Sequence, residues 1–129
     1  FLNKPNVLGI GEIGLNKNTR NEATIFQEHV DLAMRHEELI LIHTPHLEDK
    51  YAGTRMILDM LTGDRRLERG RVLVDHVEEH TVRHVLDEGF WAGMTLYGHR
   101  RALGPGAASR QLSRRLGAVK PDRRARLYS

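Results

Sequence analysis

The feature that most constrains this chain is an alternation, from residue 7 to residue 96, between short apolar runs and longer amphipathic stretches. Val7-Leu8-Gly9-Ile10-Gly11, Leu39-Ile40-Leu41-Ile42, Val72-Leu73-Val74 and Phe90-Trp91-Ala92-Gly93-Met94 carry no polar residue on either face. Strands buried from both sides have that composition; half-exposed antiparallel strands do not. Between them, apolar residues recur at helical spacing: Ala23, Phe26, Val30 and Ala33 within 19–37, then Met56, Ile57, Met60 and Leu61 within 54–62, then Val82, Val85 and Leu86. Thr19, with Glu22 three residues later, has the spacing of a capping box, and Gly63 and Gly89 stand where the second and third helices should stop. A β-α-β-α-β-α-β order calls for parallel strands joined by right-handed crossovers. A doubly wound sheet and part of a β/α barrel both satisfy it. Gly9, Gly11 and Gly14 only approach a dinucleotide fingerprint, because Glu12-Ile13 interrupts the turn and would set an acid against a pyrophosphate.

The chain has 129 residues, enough for one domain with a modest core. It has no cysteine, so disulfides and thiolate metal sites are excluded, and any metal must be held by His and carboxylates. No apolar run approaches the roughly 20 residues that span a bilayer. The opening Phe1-Leu2-Asn3-Lys4-Pro5 does not read as a signal peptide. A cytoplasmic protein without a membrane partner is expected, and with no initiator Met a natural start upstream is expected as well. Charge divides the chain in two. Residues 98–129 hold nine Arg or Lys against one acid, Asp122, and are +8; since the whole is +3, residues 1–97 are −5. The expected organisation is therefore a partial barrel domain over 1–97 and an Arg-rich tail over 98–129. The tail is irregular or helical, contains nothing like a fifth strand, and reads as a basic appendage, a disordered segment or the product of a shifted frame near Tyr97.

Ionisable residues stand where three strands end: Glu12 after the first, His43 after the second, Asp75-His76 after the third. In parallel β/α folds the C-terminal strand ends form the binding face. By the two-residue period, Leu8, Ile10 and Glu12 share a side, as do Leu39, Leu41 and His43, and Val72, Val74 and His76. If those sides face one interior, Glu12, His43 and His76 converge at its mouth. Asp75 then points the other way, with a supporting or packing role. Such a set suits a hard or borderline divalent cation. Each residue alone has an ordinary structural reading; the shared position is the signal. His29, His36, His80, His84 and His99 read as surface or capping residues.

Gly11-Glu12-Ile13-Gly14-Leu15-Asn16 resembles the GE-x-GLD segment of TatD-type metal-dependent hydrolases, TIM barrels of the amidohydrolase superfamily. Phe26-Gln27 with Leu32-Ala33, Leu41-Ile42-His43-Thr44, Val74-Asp75-His76 and Gly89-Phe90-Trp91-Ala92-Gly93 are similar to later segments of that family, in order and at natural spacing across 7–96. The resemblance implies an α/β fold: a partial TIM (β/α) barrel of four parallel strands and three helices. It implies hydrolysis by metal-activated water, with Zn, Mn or Mg as cofactor, one or two ions in a full-length parent. Glu12 would bridge two metals, and His43 and His76 would be terminal ligands. The implied substrate is the phosphodiester bond of DNA (a deoxyribonuclease). Alternatives are an amide, ester or lactone substrate, or a non-enzymatic nucleic-acid binder working through the tail. Asn16 stands where the family usually has Asp, and Pro45 where it often has Arg; Val77-Glu78-Glu79 also departs from the pattern. His46, on the loop leaving the second strand, is a further candidate for touching substrate, with Asn16 and Asp75 beside it. No catalytic acid or base can be singled out. The family's first-strand H-x-H pair and last-strand Asp are absent, so a weakly active or inactive fragment is expected. Four strands would also leave two open edges and a half-exposed apolar face, favouring self-association into a pseudo-barrel.

Overall fold

The computed structural model describes residue 2, residues 4–46 and 48–95, and a strand at 125–128. The elements are β1 (Gly9–Gly14), α1 (Arg20–Arg35), β2 (Leu39–His43), α2 (Lys50–Gly63), a single 3-10 turn (Arg69–Arg71), β3 (Val72–Asp75), α3 (Val82–Asp87), β4 (Trp91–Thr95) and β5 (Ala125–Tyr128). All neighbouring strands are parallel and follow chain order, β1-β2-β3-β4-β5. A doubly wound sheet must reverse its order at a switch point. Crossovers of one hand that always step the same way put every helix on the same side. The sheet is therefore the partial barrel type.

One continuous core forms between that side of the sheet and the helices. Phe26, Val30 and Ala33 of α1, Ile57, Leu58 and Leu61 of α2, and Val82 and Val85 of α3 are buried with Ile13, Ile40, Ile42, Val72, Val74 and Ala92. Each buried Val, Leu, Ile or Phe side chain contributes about 1.5–3 kcal/mol. The other sheet face is open: Leu8 and Leu39 are 78% and 51% exposed. Leu8, Gly9, Gly11, Leu39, Leu41, Leu73 and Trp91 line a groove of about 420 Å³ there, at the N-terminal ends of the strands.

Local chemistry sets the helix ends. Thr19 accepts from the Glu22 amide and the Glu22 carboxylate accepts from the Thr19 amide, closing the capping box. Helix α2 begins four residues before the Thr54 expected from periodicity, because the Asp49 carboxylate accepts from the Ala52 amide and starts the helix in a stretch with no apolar stripe. Gly53 is needed in that turn: a Cβ would lie 2.3 Å from both Asn18 Oδ1 and Pro45 Cγ. Gly89, at φ 81°, supplies the left-handed residue after α3.

The expectation that nothing beyond residue 97 is a strand is corrected by Ala125–Tyr128, which pairs in parallel with β4 from Ala92 to Thr95. Its four residues include Arg126, so no apolar run marked it; an edge strand is fixed by ladder hydrogen bonds as much as by composition. The rest of 98–129, and with it the reading of the tail as helix, appendage or disordered segment, lies outside the described residues.

After α2, the Arg66 side chain and backbone amide both donate to Asp64, at 2.6–3.0 Å, and hold its carboxyl down at about 2. A carboxyl held below its unfolded value contributes stability that is full above pH 4 or so and is lost as pH falls toward 2. Arg66→Ala should return the Asp64 midpoint toward about 4 in a carboxyl-detected NMR titration; an unmoved midpoint would show that the backbone amide alone sets it.

Candidate metal centre

Three strands deliver ionisable side chains to the C-terminal rim of the sheet, by different local means. On β2 the alternation is regular: Ile40 and Ile42 are buried under the helices, while Leu39, Leu41 and His43 take the open face. The expected parity holds for this strand. It fails on β1 and β3. Ile10 pairs with buried Ile40, and Val72 and Val74 are fully buried, so these side chains face the helices and not the open side.

Backbone irregularities restore the convergence. On β1 the register slips by one residue between Ile10 and Ile13, so that both align with the buried positions Ile40 and Ile42. This is a bulge, a device that re-aims a side chain. Glu12 sits in it, with its carboxylate 46% exposed at the rim. On β3 the residue in register with His43 is Asp75, not His76. His76 lies past the strand end at φ 56°, in the left-handed region that a non-glycine residue rarely adopts. That turn is pinned from three sides. Its amide donates to Asp75 Oδ1 at 2.7 Å. The buried Thr44 hydroxyl lies 3.2 and 2.9 Å from the carbonyls of Asp75 and His76. The Val77 amide donates to the Gly93 carbonyl at 3.0 Å.

Glu12, Asp75 and His76 each offer a ligand atom, and these lie within 4.8 Å of one another. Glu12 Oε1 is 3.9 Å from His76 Nε2. Asp75, expected to point away, is thus part of the cluster, because the strand places it on the open face and the His76 turn brings the imidazole round to join it. His43 belongs to the same rim but is not among these three. Its ring is packed against β1, where a Cβ on Gly14 would fall 2.9 Å from His43 Nε2. His46 stands between the two imidazoles, stacked 6.4 Å from His43 and tilted 5.1 Å from His76. Burial, followed by the charges of Lys50, His76 and His43, holds the His46 imidazolium below its ordinary range, so the ring is neutral near pH 7. Asn16 stays outside the cluster: its amide donates to the Glu22 carboxylate at the start of α1.

Thr44 and Gly93 were not singled out by sequence, and their parts depend on the tertiary arrangement. A Cβ on Gly93 would come 2.4 Å from Asp75 Oδ1, so a glycine on β4 leaves the space that this carboxylate occupies. A Gly on one strand opposite an acid on its neighbour leaves no periodic signature.

Two carboxylates and a neutral imidazole fit a divalent cation of hard or borderline character. The two carboxylates balance the ion's charge, three donors leave its coordination open, and the Glu12 edge faces solvent.

No family model matches the chain. Over 96 residues it is 30% identical to an uncharacterized metal-dependent hydrolase of Methanocaldococcus jannaschii, a match covering 74% of this chain and 37% of that protein. It superimposes on the crystal structure of a TatD-like protein from Archaeoglobus fulgidus with a TM-score of 0.72 and 27% identity, over 95% of this chain and 45% of that one. The chain therefore spans less than half the length of either. Strand order, the acid-imidazole cluster and both comparisons agree: the chain is similar to part of a TatD-like β/α barrel.

Proposed function

We propose that the protein carrying this chain hydrolyses phosphodiester bonds of DNA, with Glu12, Asp75 and His76 holding a divalent cation and His43 approaching the same ion from β2. The observation that carries this reading is the cluster of three donors within 4.8 Å at the C-terminal rim of a parallel sheet. When bound, Zn, Mn or Mg supplies Lewis acidity that brings the pKa of water toward about 7 and polarises a phosphoryl oxygen. The exposed Glu12 carboxylate is the side chain suited to bridging a second ion in a fuller site. The choice of a phosphodiester over a neutral ester, amide or lactone follows the resemblance of the Gly11–Asn16 segment to TatD-type hydrolases. Zero cysteines are consistent with a cytoplasmic setting.

The test is a panel of a single-stranded oligodeoxynucleotide, a p-nitrophenyl ester, an N-acyl amide and a lactone, each with Mn²⁺ or Zn²⁺. Weak metal-dependent release of nucleotides, lost in Glu12→Ala, is expected. Turnover of the ester or lactone with no cut in the oligonucleotide would replace the substrate and keep the chemistry. A second reading, a non-enzymatic nucleic-acid binder, draws on the nine basic residues of 98–129. It would prevail if removing 98–129 ended DNA binding, and its steep salt dependence, while Glu12→Ala and His43→Ala changed nothing.

The open sheet face is the contact with a second copy of the chain. Leu8 and Leu39 stand 78% and 51% exposed beside an apolar groove, and the same surface is present at equal concentration on every other copy. Light scattering should give twice the 14.8 kDa chain mass, and Leu8→Asp with Leu39→Asp should return it to a monomer. A monomeric wild-type chain at about 100 μM, well above a micromolar Kd, would remove this contact.

A further inference from the structure

Beside the acid-imidazole cluster lies a group of rings that it does not use. Tyr51, in the first turn of α2, is 39% exposed. The His84 ring, on α3, meets it edge-on at 5.3 Å and 76°, and the His80 ring lies near-parallel at 6.4 Å and 27°. All three residues are exposed. Aromatic pairs at these separations hold one another in place. The His80-Tyr51-His84 group is thus a fixed aromatic surface presented to water, where a lone tyrosine would be a mobile one.

The group is continuous with the rim. Tyr51 follows Lys50, whose Nζ donates to Glu78 Oε1 at 3.0 Å and ties the loop after β2 to the loop after β3. Glu78 Oε2 lies 3.6 Å from His80 Nδ1. Lys50 and Glu78 both act on His46, whose ring is 5.1 Å from that of His76. Lys50 and Glu78 therefore link the rings on the helix layer to the C-terminal rim that carries the cluster.

We infer that Tyr51, flanked by His80 and His84, is a stacking subsite for a nucleobase of a single-stranded nucleic acid lying along the rim. The inference deepens the phosphodiester reading and rests on it for the course of the strand past Glu12, Asp75 and His76. An exposed aromatic ring held in place by its neighbours is what sequence-tolerant single-strand binding uses, because every base has a face to stack.

The test separates base stacking from backbone attraction, which the Arg-rich tail would supply to any strand. Fluorescence anisotropy compares a labelled oligothymidylate of about ten nucleotides with an abasic strand of the same length and charge. Both are measured in EDTA, so that neither is cut. The wild-type chain should bind the base-bearing strand roughly 5- to 100-fold more tightly. Tyr51→Ala should remove that preference while leaving abasic binding unchanged, and Tyr51→Trp should restore it. Equal wild-type affinity for the two strands, or a preference that survives Tyr51→Ala, overturns the subsite. Glu12→Ala is expected to lose metal uptake and keep the base preference. A full-length protein that discriminates bases yet cuts no DNA with metal present would instead sink the phosphodiester reading and leave the stacking surface standing.

Discussion

Glu12→Gln and Asp75→Asn should each lower the affinity for Mn²⁺ or Zn²⁺ by at least about 100-fold, since outer-shell changes alone cost 10- to 100-fold and these residues contribute donor atoms directly. Titration calorimetry against the apo chain measures it. The two variants keep side-chain volume and remove only charge, so the fold is retained and the change reads the site. His43→Ala is the informative contrast. Sequence spacing ranks His43 with Glu12 and His76, whereas the group within 4.8 Å is Glu12, Asp75 and His76. If the compact group alone holds the ion, His43→Ala costs about tenfold, as loss of an outer partner would. A loss equal to that of Asp75→Asn would make His43 a direct ligand. Unchanged uptake in Asp75→Asn would return that residue to a packing role and leave the strand-end spacing as the better guide.

The second large effect concerns the strand pair that carries Glu12 and His43. Gly14 lies in register with His43, and a Cβ there would sit 2.3 Å from the His43 carbonyl oxygen and 2.8 Å from Cδ2 of its ring. One obstacle is backbone and cannot rotate away. Gly14→Ala should therefore force β1 from β2 and destabilise the chain by about 3 kcal/mol, the upper part of the range for overpacking. A urea midpoint measures the loss. Gly63→Ala is the control: a Cβ at the end of α2 meets nothing within 4 Å, and alanine should gain up to about 1 kcal/mol through helix propensity. If both substitutions behave alike, the approach of β1 to β2 is looser than the geometry requires, and the bulge that aims Glu12 loses its support.

Much of the architecture was legible in sequence because burial leaves periodic traces. Four doubly apolar runs became β1 to β4, and the stripes Phe26-Val30-Ala33, Ile57-Leu61 and Val82-Val85 became the buried faces of the three helices. The capping box at Thr19 and Glu22 was readable because both partners lie within one turn. Strand β5 was not, since Ala125-Arg126-Leu127-Tyr128 gains its place from pairing with β4 and carries no apolar run of its own. The start of α2 at Lys50 was missed for a related reason: one Asp49 side chain sets it, and the turn has no stripe.

The site shows where sequence stops. Its residue types and their position after three apolar runs were determined by sequence, because a strand's end is marked by the change from aliphatic to polar residues. Which side chains meet was decided only in three dimensions. A two-residue alternation fixes facing as long as the strand is regular, as β2 and β3 are through Asp75, but it fails at the β1 bulge and past the end of β3. One extra residue in β1 and one left-handed residue at His76 each turn a side chain to the other face. Neither leaves a mark in the pattern of apolar residues, because each depends on contacts from far along the chain: Leu41 against Gly11, Thr44 on the carbonyls of Asp75 and His76, and Gly93 giving room to Asp75.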